Sequence, residues 1–225
     1  MWKSRPIAVL QGTVLLGACV VGGVLTGRAA LAPWWHAVVW AGLMPFAWLL
    51  RPGLPWFLAA VGALIGGTVY HMAGLWFLSV CVAGVLAPVW FFASIGGGLC
   101  CALAFLAGRQ AARRTGWPAA VVLPMTWTTF EWLRYWGAAA VLGEPFTLLW
   151  LGQAIVDDRH LVQLADLGGV AMLGGLIAAV NGALAGLLNK STKIRKCLRR
   201  PWPAGKWKSR WQNDLCIRTG RKLVR

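Results

Sequence analysis

Acidic residues are scarce in this chain of 225 residues, with six Asp and Glu against 22 Lys and Arg. Charged residues make up only 12% of the sequence, while hydrophobic residues make up 59%. A soluble globular domain carries about 25% charged residues, so this composition excludes an ordinary soluble domain. Because apolar runs repeatedly exceed the roughly 20 residues that cross a bilayer as a helix, the sequence predicts an all-α, polytopic transmembrane bundle.

Paired cysteines and clusters of metal-binding residues are also missing. The chain has six cysteines and three histidines but no CxxC motif and no Cys/His cluster with zinc spacing. A cysteine inside an apolar run behaves as a small hydrophobic residue. The pattern therefore predicts no disulfide framework, no metal site and no cofactor.

The basic residues are concentrated at one end of the chain. Residues 190–225 hold thirteen Lys and Arg against one acid, Asp214, which is a net charge of +12 out of the total of +16. Five of the six acids lie between Glu131 and Asp166. A sequence pI near 10.9 would fit a nucleic-acid partner. Charge confined to the flank of membrane helices reports topology instead, so we expect no nucleic acid.

Six apolar segments are predicted to span the membrane: residues 7–27, 33–50, 54–78, 82–107, 117–136 and 164–188. A signal peptide is the alternative for the first segment, since Ala30-Leu31-Ala32 resembles a cleavage site. Signal peptides have apolar cores of about 7–15 residues, and the longer run here favours an uncleaved helix.

The distribution of Lys and Arg between the flanks predicts the orientation. One set of flanks holds the basic C-terminal stretch together with Lys3, Arg5, Arg51, Arg109, Arg113 and Arg114, whereas the other holds Arg28, Arg134 and Arg159. Cytoplasmic flanks carry the excess of positive charge. Both termini are therefore predicted to be cytoplasmic, with the 137–163 loop outside.

Two ionisable residues, Glu131 and Arg134, end the fifth apolar segment in the stretch TWTTFEWLRYW. Counting from the cytoplasmic end at 1.5 Å per residue places Glu131 about 20 Å into a hydrocarbon core about 30 Å thick. Residues at i and i+3 share a helix face, so the spacing favours an ion pair. The pair serves either as an interfacial anchor among the tryptophans or as a polar site facing an outward cavity.

The motifs that follow favour the second alternative. Glu131-x-Leu133-Arg134 is followed by Gly143-Glu144-Pro145-Phe146, by Leu151-Gly152-Gln153, by the stretch LVQLADLGGV and by Asn181 in the last apolar segment. In this order the motifs resemble the membrane domain of bacterial apolipoprotein N-acyltransferases. That family has Phe-Pro-Trp where this chain has Glu144-Pro145-Phe146, so Trp150 is taken as the substitute for the tryptophan.

The resemblance implies a function, a location and a binding site. It covers roughly residues 7–188 and implies a transmembrane domain over 1–188 in the bacterial inner membrane, followed by a poorly ordered basic tail over 189–225. The implied partners are a phospholipid and a lipoprotein substrate. The residues expected to line the lipid-facing mouth are Glu131, Arg134, Phe146, Trp150 and Gln153.

The family's catalytic residues have no counterpart in this sequence. The resemblance implies a nitrilase-like domain with a Glu base, a Lys and a Cys nucleophile, and the residues after Leu188 do not resemble it. We therefore expect a truncated or frame-shifted acyltransferase that is inactive alone. A non-enzymatic membrane protein that binds lipid or a partner helix is the alternative, with the polybasic tail on anionic lipid. A transporter is a third, weaker interpretation, since only His71 is placed at mid-membrane.

Overall fold

The computed structural model describes residues 5–30, 36–51, 53–81 and 86–198, and within these ranges the chain is helical with no β-strand. The α-helices are α1 Arg5–Ala29, α2 His36–Gly42, α3 Met44–Leu49, α4 Trp56–Gly74, α5 Trp76–Val80, α6 Ala87–Thr115, α7 Ala119–Leu142, α8 Arg159–Val162 and α9 Ala165–Leu198. A 3₁₀ helix, Leu151–Ile155, lies between α7 and α8. The all-helical architecture predicted from composition is confirmed for this part of the chain.

The chain divides into two compact units, Met1–Ala185 and Gly186–Arg225. Within the second unit the described backbone, residues 186–198, is helical. The predicted division into a membrane domain over 1–188 and a poorly ordered basic tail over 189–225 stays a prediction. Residues 189–198 continue α9, and residues 199–225 lie outside the described residues.

Helix α4 is the centre of the first unit and packs against α1 on one side and α6 on the other. Glycine permits the close approach of α1 and α4, because a Cβ at Gly23 would lie 2.5 Å from the carbonyl oxygen of Gly66. Membrane helices associate through such small-residue surfaces, where backbones approach closely. The aromatic core beside α4 is formed by Phe46, Tyr70, Phe105, Trp127 and Phe130, whose rings meet largely edge to face.

Four helical stretches among the described residues are long and apolar enough to cross a membrane: Gln11–Ala29, Trp56–Gly74, Ala87–Thr115 and Ala165–Asn189. The predicted second segment instead forms a shorter apolar stretch, His36–Leu49. The predicted fifth segment corresponds to α7, which carries Glu131 and Arg134 and continues to Leu142 rather than ending at Trp136. The structure therefore contains helices in all six predicted regions.

The second apolar segment is broken at Leu43, between α2 and α3, where the sequence predicted one continuous helix. Asn181 of α9 supplies the missing hydrogen bonds. Its Oδ1 accepts from the Leu43 backbone N–H at 2.9 Å, and its Nδ2 donates to the Val39 carbonyl at 2.9 Å. Nδ2 also donates to the Ile177 carbonyl at 2.9 Å. The buried break is tolerated because the amide side chain of Asn181 satisfies both backbone groups that the break leaves free, the Leu43 N–H and the Val39 carbonyl.

Helix α9 has a local interruption near its start. Gly168 and Gly169 leave the helical conformation, and Gly169 has φ 66°. This left-handed backbone favours glycine, which has no Cβ to clash with the adjacent carbonyl. The Gly-Gly pair therefore redirects the chain between the first residues of α9 and the regular part of this helix.

Candidate functional site

Helix α7 places two ionisable side chains in the interior of the first unit. Glu131 is 0% exposed and Arg134 is 4% exposed. A buried charge is costly unless hydrogen bonds or opposite charges compensate it. The partners of these two side chains therefore define the chemistry of this region.

Glu131 binds the start of the 3₁₀ helix through one carboxylate oxygen. Oε1 accepts hydrogen bonds from the Leu151 backbone N–H at 2.6 Å and from the Trp127 Nε1–H at 3.1 Å. The second oxygen, Oε2, has no hydrogen-bond partner, and a Cβ at Gly174 would lie 3.1 Å from it. The carboxylate is thus fixed on one side and lies against α9 on the other.

Arg134 binds the segment just before the 3₁₀ helix. Nη1 donates to the Leu148 carbonyl, and Cζ lies 5.1 Å from the ring centroid of Phe146 and 5.9 Å from that of Trp150. Both distances are within the range of cation–π attraction. Nε and Nη2 are buried without a hydrogen-bond partner.

Residues 146–153, which we name the docked segment, are held at several backbone groups. Besides the contacts to Glu131 and Arg134, the Tyr70 hydroxyl of α4 donates to the Leu149 carbonyl at 2.6 Å. The Trp150 N–H donates to Gln153 Oε1 at 3.1 Å, which closes the first turn of the 3₁₀ helix. Leu149 has φ 61°, an unfavourable conformation for a residue with a Cβ. Leu149 itself is fully buried, so its surroundings hold the segment in this shape.

The predicted ion pair between Glu131 and Arg134 is wrong as a direct contact. Within the described ranges, the recorded ion pair is His36 Nε2 to Asp157 Oδ2 at 3.8 Å, and none joins Glu131 to Arg134. Helix spacing puts both side chains on one face. Each side chain nevertheless reaches a different backbone group of the docked segment, which the i, i+3 rule does not take into account.

The five site residues predicted from the sequence lie in or beside this arrangement. Glu131 and Arg134 bind the docked segment, Phe146 and Trp150 cover the guanidinium, and Gln153 closes the 3₁₀ turn. Sequence reasoning missed Trp127 and Tyr70. Trp127 precedes Glu131 by four residues, a spacing that places both on one helix face and was a usable signal. Tyr70 lies 61 residues before Glu131 in the sequence, so no local pattern connects the two residues.

Exposed aromatic side chains continue from the site along α7. Trp132 and Trp136 stack with ring centroids 6.3 Å apart, and both Trp132 and Tyr135 contact Trp150. Trp132 is 44% exposed and Trp136 is 60% exposed. Amphipathic rings of this kind favour the boundary between hydrocarbon and headgroups.

The chain between the docked segment and α9 is polar. Asp158 caps α8 by accepting from the backbone N–H groups of His160 at 2.9 Å and Leu161 at 3.1 Å. These bonds, that from Leu161 above all, stabilise the carboxylate and lower the pKa of Asp158 below its usual value. In the residues that the structure describes, no group of three or more His, Cys, Asp or Glu is placed to hold a metal ion.

Comparison with known proteins identifies the family. The profile of the apolipoprotein N-acyltransferase N-terminal domain matches residues 22–183. This chain belongs to that family. The match contains α7, the docked segment and Asn181, so the site described above lies within the family domain.

A curated relative agrees with this assignment. The apolipoprotein N-acyltransferase of Rhodopirellula baltica is 34% identical over 79 residues, which is 35% of this chain. The chain spans 13% of the length of that relative in the match. No solved structure gives a significant match.

Proposed function

We propose that this chain is the membrane-embedded domain of a protein of the apolipoprotein N-acyltransferase type, and that it binds a phospholipid at the docked segment. The observation that carries the proposal is the buried Arg134, whose guanidinium is only partly hydrogen bonded where a membrane helix meets non-helical backbone. Non-helical backbone within a membrane protein occurs where it lines a cavity or is buried in protein. Intramembrane ionisable residues commonly mark substrate sites.

We further propose six membrane segments in the bacterial inner membrane, with both termini cytoplasmic and residues 137–163 outside. The asymmetry of Lys and Arg supports this orientation. Two exposed tryptophans support the depth. Trp117, two residues before α7, is 50% exposed, and Trp136 within α7 is 60% exposed. Nineteen residues separate the two in sequence. At 1.5 Å per residue this corresponds to about 28 Å, close to the thickness of the hydrocarbon core.

Cysteine labelling in intact cells tests the orientation. All six cysteines are replaced by serine, and a single reporter cysteine is placed at Thr147 or at Ser209. An impermeant maleimide is expected to label the reporter at Thr147 and to label the one at Ser209 only after lysis. Labelling of the Ser209 reporter in intact cells, with none at Thr147, would reverse the proposed orientation.

Lipoprotein N-acylation by this chain alone is not expected. Covalent acyl transfer needs a nucleophile activated by a nearby base. The four described cysteines, Cys19, Cys81, Cys100 and Cys101, are free thiols, and none of them forms a recorded hydrogen bond with a carboxylate. We expect unacylated lipoprotein N-termini when the chain is expressed in cells depleted of their own N-acyltransferase. Mass spectrometry of those N-termini checks this, and N-acylated product would show that the helices carry the chemistry.

A partner helix is a second candidate ligand, on a different surface. An apolar groove of about 270 Å³ between α1 and the α2–α3 region is lined by Gly17, Ala18, Val21, Gly22, Leu25, Ala41, Gly42 and Pro45. The glycines and alanines among these residues would let a further helix approach closely. Gly17→Leu is a suitable test, because a Cβ there has no atom within 4 Å. If a partner helix occupies the groove, this variant loses the co-purifying partner and keeps its bound phospholipid.

A further inference from the structure

The free atoms of Arg134 form one edge of its guanidinium. Nη1 donates to the Leu148 carbonyl, so the nitrogens left without partners are Nε and Nη2. The N–H bonds of Nε and Nη2 run side by side on the edge opposite Cδ, and this edge binds carboxylates and phosphates in bidentate fashion. The site therefore presents a pair of parallel donors rather than one isolated unsatisfied atom.

The chain's own carboxylate does not fill this edge. Glu131 has one oxygen held by Leu151 and Trp127, and its other oxygen lies beside Gly174. Glu131, Tyr70 and Cys100 act on Arg134 electrostatically, and of these three only Glu131 is a carboxylic acid. Buried polar groups are almost always paired, so an unfilled donor edge marks the place of a missing partner.

We infer that the Nε–Nη2 edge of Arg134 binds a two-oxygen anion of the phosphate type. The inference rests on the proposed phospholipid binding and assigns the group of the lipid that this side chain contacts. A tetrahedral phosphate or phosphodiester offers two oxygens at the spacing that the edge requires. Arginine is suited to this role because its planar guanidinium keeps its charge even where it is poorly solvated.

Two aromatic rings cover the guanidinium, so we expect the ligand to reach it past them. Phe146 and Trp150, which we name the aromatic cap, lie over the guanidinium, and Arg134 is only 4% exposed. Phe146 and Trp150 flank the strained Leu149 in the docked segment.

Native mass spectrometry of the full chain in detergent tests the inference. The probes are phosphatidylglycerol, diacylglycerol with the same acyl chains, and inorganic phosphate as competitor. We expect the wild-type chain to retain phosphatidylglycerol at least about tenfold better than diacylglycerol. Displacement of the lipid by millimolar inorganic phosphate would make the phosphate group alone sufficient, whereas no displacement would make the lipid headgroup the source of the anion.

Arg134→Lys is the decisive variant, since lysine keeps the charge and loses the bidentate edge. We expect its phosphatidylglycerol retention to fall about tenfold, to the level of diacylglycerol, while the matched variant Arg159→Lys in α8 is unchanged. Equal retention of both lipids by the wild type overturns the inference but leaves lipid binding intact. This comparison uses only the wild-type chain, so it tests the inference even if Arg134→Lys does not fold. Retention of neither lipid overturns the proposed function as well.

Discussion

Two interruptions of helical backbone in this protein are stabilised in opposite ways. At the break between α2 and α3, Asn181 satisfies Leu43 and Val39 and leaves its own amide fully used. At the docked segment, Glu131 and Arg134 also bind backbone groups, but three of their polar atoms stay unpaired. A fully satisfied buried polar residue fixes a structure, whereas a partly satisfied one is a candidate for ligand binding.

Removal of Asn181 is expected to have the largest effect on stability. Asn181→Ala leaves the Leu43 N–H and the Val39 carbonyl without partners in an apolar interior, at a cost of about 3 kcal/mol. Thermal unfolding in detergent, followed by loss of monodisperse protein, measures the change. Asn189→Ala, at a half-buried position of the same helix, is the control and is expected to cost less than about 0.5 kcal/mol. Equal losses for the two variants would show that the break does not depend on Asn181.

Substitution of Glu131 is expected to have the second largest effect on stability, and its size should depend on the residue that replaces it. Glu131→Leu leaves the Leu151 N–H and the Trp127 indole N–H unpaired and is predicted to cost about 2 kcal/mol. Glu131→Gln keeps an oxygen that accepts from Leu151 and is predicted to cost about 1 kcal/mol or less. The same unfolding assay ranks the two variants. If glutamine costs as much as leucine, the carboxylate charge rather than its hydrogen bonds holds the docked segment.

The conformation of Leu149 is expected to have a smaller effect on stability, and it should reverse the usual ranking of alanine above glycine. Leu149→Gly and Leu149→Ala both remove a buried side chain, but only glycine is free of strain at φ 61°. We expect the glycine variant to be more stable than the alanine variant by about 1 kcal/mol. At Leu123, buried inside α7, the same two replacements are expected to rank in the opposite order. A shared ranking at both positions would mean that Leu149 is not strained.

The coupling free energy between Glu131 and Arg134, measured by a double-mutant cycle, is expected to be the smallest of these effects. Both side chains bind the docked segment but no direct ion pair joins them, so the coupling between Glu131→Gln and Arg134→Lys should lie at the low end for neighbouring residues, about 0.5 kcal/mol. Unfolding free energies of the two single variants and the double variant give the coupling. A coupling of several kcal/mol would restore the ion pair that helix spacing favoured.

The sequence predicted the local features of this molecule and missed the long-range ones. Apolar runs predicted regions in which the structure has helices. Ordered motifs pointed to Glu131, Arg134, Phe146, Trp150 and Gln153, whose role in lipid binding stays a prediction. The break at Leu43 was missed because Asn181, which stabilises it, lies 138 residues away along the chain. The supposed ion pair failed for the same reason: the backbone groups that bind Glu131 and Arg134 lie in a segment whose position depends on the whole fold.

Hydrogen exchange in the presence and absence of phospholipid tests the contrast between the two interruptions most directly. Amide protection is measured by mass spectrometry for peptides covering residues 39–43 and 146–153, in detergent alone and with added phosphatidylglycerol. Local opening determines such protection, so a ligand that fills the site raises it there. We expect phosphatidylglycerol to increase protection across 146–153 and to leave 39–43 unchanged. Equal responses of the two segments, or no response at 146–153, would contradict the account that the docked segment is the lipid-binding site.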